Sequence, residues 1–247
     1  MANLIQTFRG FSGNQIYLMD DGSKLFVRKI GSIGRNVERM TALVSDLPVP
    51  KIYRHSDITL DMEYIHGLDI KTYLKSNQPN RLLQFLTDTL DQLSADAVDK
   101  DYTEVYKNKL AEIDFTLLAF TAEELMTRLP KYLPQSRYIG DLTLENIIYT
   151  EDGFYIIDCA TIEYDSYIFD IAKLRQDLDL RWFTRNTDLV LDVKTNYIKQ
   201  QLKQRYPLAL VDNDYLLILM LLRVYRHAQQ GTFEHVFLLE GINRLWK

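Results

Sequence analysis

Hydrophobic and polar positions change their period part-way along the chain. In the first 65 residues the apolar stretches are short and strand-like. Ile16 to Met19 and Lys24 to Ile30 flank Asp20-Asp21-Gly22-Ser23, turn chemistry of the Asp-Gly kind, so this segment predicts a β-hairpin. A short helix is expected from about Arg35 to Ser45, with Val37, Met40, Leu43 and Val44 on one face, ended by Leu47-Pro48-Val49-Pro50. Two more strands, Lys51 to His55 and Thr59 to Ile65, complete a small sheet carrying one helix, and Gly67 marks a break.

From Asp69 to about Leu129 the pattern turns helical, with Leu82, Leu83, Leu86, Leu90 and Leu93 in a three-and-four repeat. A loop with two short strands is expected between Ser136 and Asp158, and helices resume from Asp170 to the end. No internal repeat or low-complexity tract interrupts this plan. The organisation is therefore α+β: an N-terminal β-rich lobe over residues 1–66, a hinge near His66-Gly67, and a larger, mainly helical lobe over 67–247.

Composition narrows the function. The 247 residues carry 29 Lys and Arg against 34 Asp and Glu, a net charge of −5 without a basic tract, which argues against nucleic-acid binding through phosphate neutralisation. The one cysteine, Cys159, excludes an intramolecular disulfide, and the four histidines lack zinc-like spacing. The first residues lack the apolar core of a signal peptide. The longest apolar run, Leu216 to Leu222, is far short of a membrane span. A reducing, cytoplasmic setting is the expectation.

The densest chemistry lies between Arg137 and Asp158. Asp141 and Asn146 fall on one loop, and Asp158 ends an apolar strand, so three oxygen-bearing side chains are placed to converge. Magnesium takes hard oxygen ligands and keeps several waters. An amide and a carboxylate, with a nucleotide's phosphates, suit it and leave a second carboxylate to receive a hydroxyl proton. That division of labour is phosphoryl transfer.

The residues Gly140-Asp141-x4-Asn146, with Asp158 twelve positions on, resemble the catalytic and metal loops of the aminoglycoside phosphotransferase and choline kinase group, within the protein-kinase-like superfamily. Gly10-Phe-Ser12-Gly13-Asn-Gln-Ile-Tyr17 resembles that group's phosphate-covering loop, and Phe26-Val27-Arg28-Lys29 its third-strand lysine. Met62-Glu63-Tyr64-Ile65-His66-Gly67 is similar to the hinge whose backbone holds adenine, and Asp170-Ile-Ala-Lys-Leu174 to the helix that closes the metal loop. The resemblance spans about residues 8 to 175. It implies a two-lobed kinase-like fold and transfer from ATP with Mg2+. It further implies Asp141 as base, Asn146 and Asp158 on the metal, Lys29 on the phosphates, and Glu38 positioning Lys29. Gly10, Ser12, Gly13, Glu63 and Ile65 would line the nucleotide. The sequence is also similar to phosphotransferase-like proteins associated with bacterial surface-polysaccharide synthesis.

Each residue has a plainer reading. Gly10 and Gly13 suit turns, Lys29 a solvated strand, and Asp141, Asn146 and Asp158 suit turn capping. Asp170 reads as a helix cap and Cys159 as small packing. The ordered set of three is what favours chemistry. The chain departs from the group at Ile139, where histidine usually braces the loop. Only eleven residues separate Asp158 from Asp170, too few for a phosphorylated activation segment, which disfavours a protein kinase.

Residues 171–247 hold 12 Lys and Arg against 8 Asp and Glu. Coulomb repulsion there disfavours polycationic aminoglycosides. Arg181, Arg185, Arg223 and Arg226, with Trp182, Tyr225 and His227, suit a sugar or anionic sugar derivative instead, or simply form a solvated helix face. The expected activity is ATP- and magnesium-dependent phosphorylation of a small sugar-like hydroxyl acceptor. A nucleotide-binding pseudokinase with a regulatory or scaffolding role is the alternative.

Overall fold

The computed structural model describes residues 2–8, 13–187 and 189–247. In chain order its elements begin with β1 (Asn3–Phe8), β2 (Gln15–Asp20), β3 (Leu25–Ile30), α1 (Gly34–Leu43), β4 (Ile52–His55), β5 (Thr59–Glu63), β6 (Leu68–Asp69) and α2 (Ile70–Ser76). There follow α3 (Asn80–Ser94), β7 (Val98–Asp101), α4 (Thr103–Leu110), α5 (Ala122–Arg128), β8 (Tyr132–Gln135), β9 (Ile147–Thr150) and β10 (Gly153–Ile156). Helices α6 (Tyr167–Leu180), α7 (Asp192–Arg205), α8 (Leu208–Val211), α9 (Asp214–Tyr225) and α10 (Phe233–Leu245) complete the chain. Two compact units emerge: Met1–Tyr73 with Ile139–Ile162, and Leu74–Tyr138 with Glu163–Lys247.

The first unit is built on a five-stranded antiparallel sheet in the order β1-β2-β3-β5-β4. Its β2–β3 turn follows from sequence: the Asp21 carboxylate accepts from the Ser23 N–H, the Ser23 hydroxyl and the Lys24 N–H, closing a turn around Gly22. Those bonds hold the Asp21 carboxyl below its ordinary range, Ser23 contributing most. Strand register then sorts the faces. Leu18, Val27 and Met62 lie abreast, as do Ile16, Lys29 and Leu60, so Lys29 shares a face with buried apolar residues. Helix α1 adds buried Met40 and Leu43. On the other face Asp61, 1% exposed, accepts from Arg28 Nε and Nη2 at 2.6 and 2.7 Å and from Arg54. The Ile139–Ile162 segment contributes β9 and β10, which pair with β6 in the order β10-β9-β6.

The second unit is helical. The apolar run Leu216–Leu222 is buried throughout on α9, which packs against α6 and α10. That run is a core helix, and among the described residues no helix is long and apolar enough to cross a membrane. On α3, Leu82, Leu86, Leu90 and Leu93 are buried as the repeat requires. Charged groups inside this unit are paired: Arg175, 4% exposed, donates to Asp179 and Asp214, and Lys199 and Lys203 bind Asp179 and Asp212.

Three local expectations change. Strand β1, nearly all exposed, carries no apolar alternation and is defined by its ladder to β2. Strand β7 interrupts the stretch expected to be helical, because it pairs with β8 while Asp165 gathers Lys100 Nζ, Gln135 Nε2 and the Tyr102 hydroxyl. Helix α6 begins at Tyr167, before Asp170, with Ser166 as its cap through a 3.2 Å bond from the Ile168 N–H. Asp170 is an interior, 1%-exposed residue of that helix and not its cap.

Candidate active site

Several of the expected site residues meet within the first unit. Lys29 reaches across its face of the sheet with its stem between Ile16 and Leu60, and its Nζ lies 2.9 Å from Asp158 Oδ1. The Lys29 side chain is 5% exposed, whereas the Asp158 side chain is 35% exposed, so the carboxylate opens toward solvent. Asn146 Nδ2 donates to Asp141 at both its carbonyl oxygen (2.9 Å) and its Oδ2 (3.0 Å). Backbone bonds knit the two halves: the Ile157 N–H donates to the Asn146 carbonyl at 2.9 Å, and the Ala160 N–H to the Ile139 carbonyl at 3.1 Å.

Gly140 makes that approach possible. It sits at φ +91, and a Cβ there would lie 2.1 Å from the Ala160 carbonyl oxygen. Buried Ile139, Leu142, Thr143 and Leu144 anchor the loop on either side of Asp141. Ile139 thus braces the loop through its backbone and its apolar burial.

The donor set fits a hard cation. Both hydrogens of the Asn146 amide face Asp141, which leaves the Oδ1 of Asn146 without a hydrogen bond among the described residues. Asp158 Oδ1 accepts from both Lys29 and Asn36, leaving Oδ2 free among the described residues. Among the described residues no group of three His, Cys, Asp or Glu side chains is placed to hold a metal ion by itself. An amide oxygen and a carboxylate completed by phosphate oxygens suit magnesium.

Glu38 is the correction. It is exposed on α1 and forms no ion pair with Lys29, whose partner is Asp158. Asn36, two residues earlier, instead points its amide into the site: Nδ2 lies 2.9 Å from Asp158 Oδ1 and 2.7 Å from the Cys159 carbonyl. Nothing in the sequence singled out Asn36, since a polar residue in the first turn of a short helix reads as surface. Of the expected nucleotide-lining residues, Gly10 and Ser12 lie outside the described residues. Gly13 is described, two residues before β2, at φ +78 and with no atom of the described residues within 4 Å of where a Cβ would stand. Glu63 closes β5, exchanging bonds with Lys51, and half-buried Ile65 follows beyond the strand.

Comparison with known proteins decides the class. The sequence model described as "Phosphotransferase enzyme family" matches residues 9–202. The chain belongs to this family. As a phosphotransferase it is a small-molecule kinase, transferring phosphate to a hydroxyl group. Solved structures give the fold. A candidate fructosamine-3-kinase of Haemophilus somnus 129PT superposes with a TM-score of 0.64 at 16% identity, covering 100% of this chain and 92% of that one. A thermostable mutant of aminoglycoside phosphotransferase APH(4)-Ia gives 0.65 at 10% identity, with 99% and 94% covered. An amicoumacin kinase solved with AMP-PNP, Ca2+ and Ami gives 0.61 at 14%, with 99% and 87% covered. No curated protein matches the sequence. The phosphotransferase therefore has the two-lobed, protein-kinase-like α+β fold that its motifs resemble.

The expected acceptor residues of the second unit are largely engaged with one another. Arg181 pairs with Asp192 and Arg226 with Glu112. Arg185 lies over the Trp182 ring, 4.0 Å from its centroid, and Trp182 and Tyr225 are buried. Arg223 faces the Tyr164 ring. His227 accepts from Arg226 Nε, and burial together with Arg226 and Arg223 keeps it below its ordinary pKa. These aromatic faces are packed in the fold and not laid open for a sugar ring.

Proposed function

We propose that this phosphotransferase moves the γ-phosphoryl group of ATP to a hydroxyl of a sugar or sugar derivative, with Mg2+. The observation that carries the reading is the pairing of Lys29 with Asp158 beside an Asn146 amide locked to Asp141. Lys29 binds the phosphates, releasing Asp158 as they arrive. Asn146 and Asp158 would hold the cation, through Asn146 Oδ1 and the Asp158 carboxylate. Magnesium, when bound there, would supply neutralisation of phosphate charge. Asp141, its carboxylate oriented by the Asn146 amide, accepts the proton of the acceptor hydroxyl. Residues 1–66 act as the nucleotide-binding lobe, with Gly10, Ser12 and Gly13 over the phosphates and the Glu63-to-Ile65 backbone beside adenine. Residues 67–247 carry the catalytic loops and the acceptor determinants.

A sugar is favoured because the similar structures include enzymes named for a fructosamine and an aminoglycoside, both sugar derivatives. The basic balance of residues 171–247 argues against a polycationic one. The test is a phosphate-transfer screen with labelled ATP and Mg2+ across neutral sugars, nucleotide sugars, amino alcohols and aminoglycosides, with Asp141→Asn as the blank. Transfer to a sugar, absent from the blank, is expected. Transfer confined to amino alcohols would overturn the acceptor assignment, and no magnesium-dependent use of ATP would overturn the whole reading.

A further inference from the structure

The first turn of α1 is fastened to the loop that carries Asp158. Asn36 Nδ2 donates to Asp158 Oδ1 at 2.9 Å and to the Cys159 carbonyl at 2.7 Å, and the Thr161 N–H donates to the Arg35 carbonyl at 2.9 Å. Three hydrogen bonds from two adjacent helix residues thus reach residues 158, 159 and 161. The acidic residue of the same helix, Glu38, is exposed and engages neither Lys29 nor this loop. Lys29 therefore has one ion-pair partner among the described residues, and that partner is Asp158.

We infer that Asn36 is a positioning residue for phosphoryl transfer: its neutral amide holds Asp158 from α1, in place of a helix carboxylate gripping Lys29. This rests on the proposed function above. The chemistry favours an amide here. Asp158 Oδ1 accepts from both Lys29 and Asn36 while Oδ2 takes no hydrogen bond among the described residues. When Lys29 transfers to phosphate oxygens, the Asn36 bond keeps Oδ1 fixed, so the carboxylate presents Oδ2 to the cation in one orientation. A carboxylate at position 36 would do the reverse, repelling Asp158 and competing for the Lys29 ammonium. A neutral donor also leaves the full charge of Lys29 for the nucleotide, because no carboxylate of α1 pairs with it. Bonds to a charged acceptor are among the stronger ones a side chain makes, so removing this one should be felt at the loop.

The experiment compares wild type with Asn36→Ser, Asn36→Leu and Asn36→Asp, and with Thr41→Ala on the exposed face of α1 as control. Hydrogen exchange is read at the amides of residues 158–161, and ATP turnover is titrated with Mg2+. The Ser and Leu variants should exchange about tenfold faster at Thr161 and its neighbours. They should also need about tenfold more Mg2+ for half-maximal rate, with the acceptor KM unchanged. The Asp variant should lose the most turnover, and the control should match wild type. If Leu should fail to fold, Ser supplies the same comparison. Unaltered exchange at 158–161 in the Ser and Leu variants would overturn the clamp, whatever the turnover. Faster exchange in a wild type background that never turns over ATP would support the clamp while refuting the proposed activity.

Discussion

Replacing Gly140 with alanine tests whether the close approach of the two site loops is required. The residue sits at φ +91, where a non-glycine side chain costs about 1–2 kcal/mol. The new methyl would lie 2.1 Å from the Ala160 carbonyl oxygen, below the 3.0 Å that real Cβ atoms keep. That oxygen belongs to backbone and cannot rotate away. The loops must part, which also strains the 3.1 Å bond from the Ala160 N–H to the Ile139 carbonyl, worth about 1 kcal/mol. The sum is about 2–3 kcal/mol, a large share of the roughly 5–15 kcal/mol that holds a domain folded, so the variant should fold with reduced stability. Asp141 is the next residue, and a displacement of about 1 Å at a catalytic group lowers turnover about a hundredfold. Urea unfolding with a fixed m-value measures the first effect, and kcat under saturating ATP the second. A variant with a wild-type midpoint and kcat within twofold would refute the argument that this glycine lets the loops meet.

Asp158→Ala should lower magnesium-dependent turnover by at least about 10³-fold with little change in the far-ultraviolet spectrum or unfolding midpoint, because the residue is partly exposed and its loss removes charge placement more than packing. Asp141→Asn should reduce kcat by about 10²–10⁴-fold while nucleotide affinity, read by thermal shift, stays near wild type. Ser166→Ala should cost about 1 kcal/mol in denaturant unfolding, since the hydroxyl caps α6; an unchanged midpoint would remove that assignment. At Asp165, burial opposes ionisation, but bonds from Lys100, Gln135 and Tyr102 outweigh it and hold the carboxyl below its ordinary range. Its stabilisation is therefore complete above the unfolded value of about pH 3.9 and is lost as pH falls through the lower folded value. Asp165→Asn should flatten the fall in unfolding free energy below about pH 4, and equal slopes in the two proteins would exclude the contribution.

How far the sequence reached is visible in individual residues. The β2–β3 hairpin, the leucine repeat of α3 and the buried Leu216–Leu222 helix were legible because each rests on a period or a turn chemistry carried by neighbours in the chain. The order Gly140-Asp141, Asn146, Asp158 was legible for a similar reason: two short strands and a turn fix its spacing. Strand β7 was not, because Val98-Asp-Lys-Asp101 becomes a strand only through β8 and the bonds that meet at Asp165.

What the sequence determined alone was therefore the local material: which segments favour strand or helix, and which oxygen-bearing side chains stand close along the chain. Tertiary structure decided the partnerships. Lys29 and Asp158 are 129 positions apart, and Asn36 and Asp158 are 122 apart. A choice between Asn36 and Glu38 on one short helix turns on the direction in which each side chain leaves the axis, and that direction acquires meaning only when the helix is laid against its sheet. Hydrophobic burial of Met40 and Leu43 orients α1, and that orientation brings Asn36 into the site while leaving Glu38 in water.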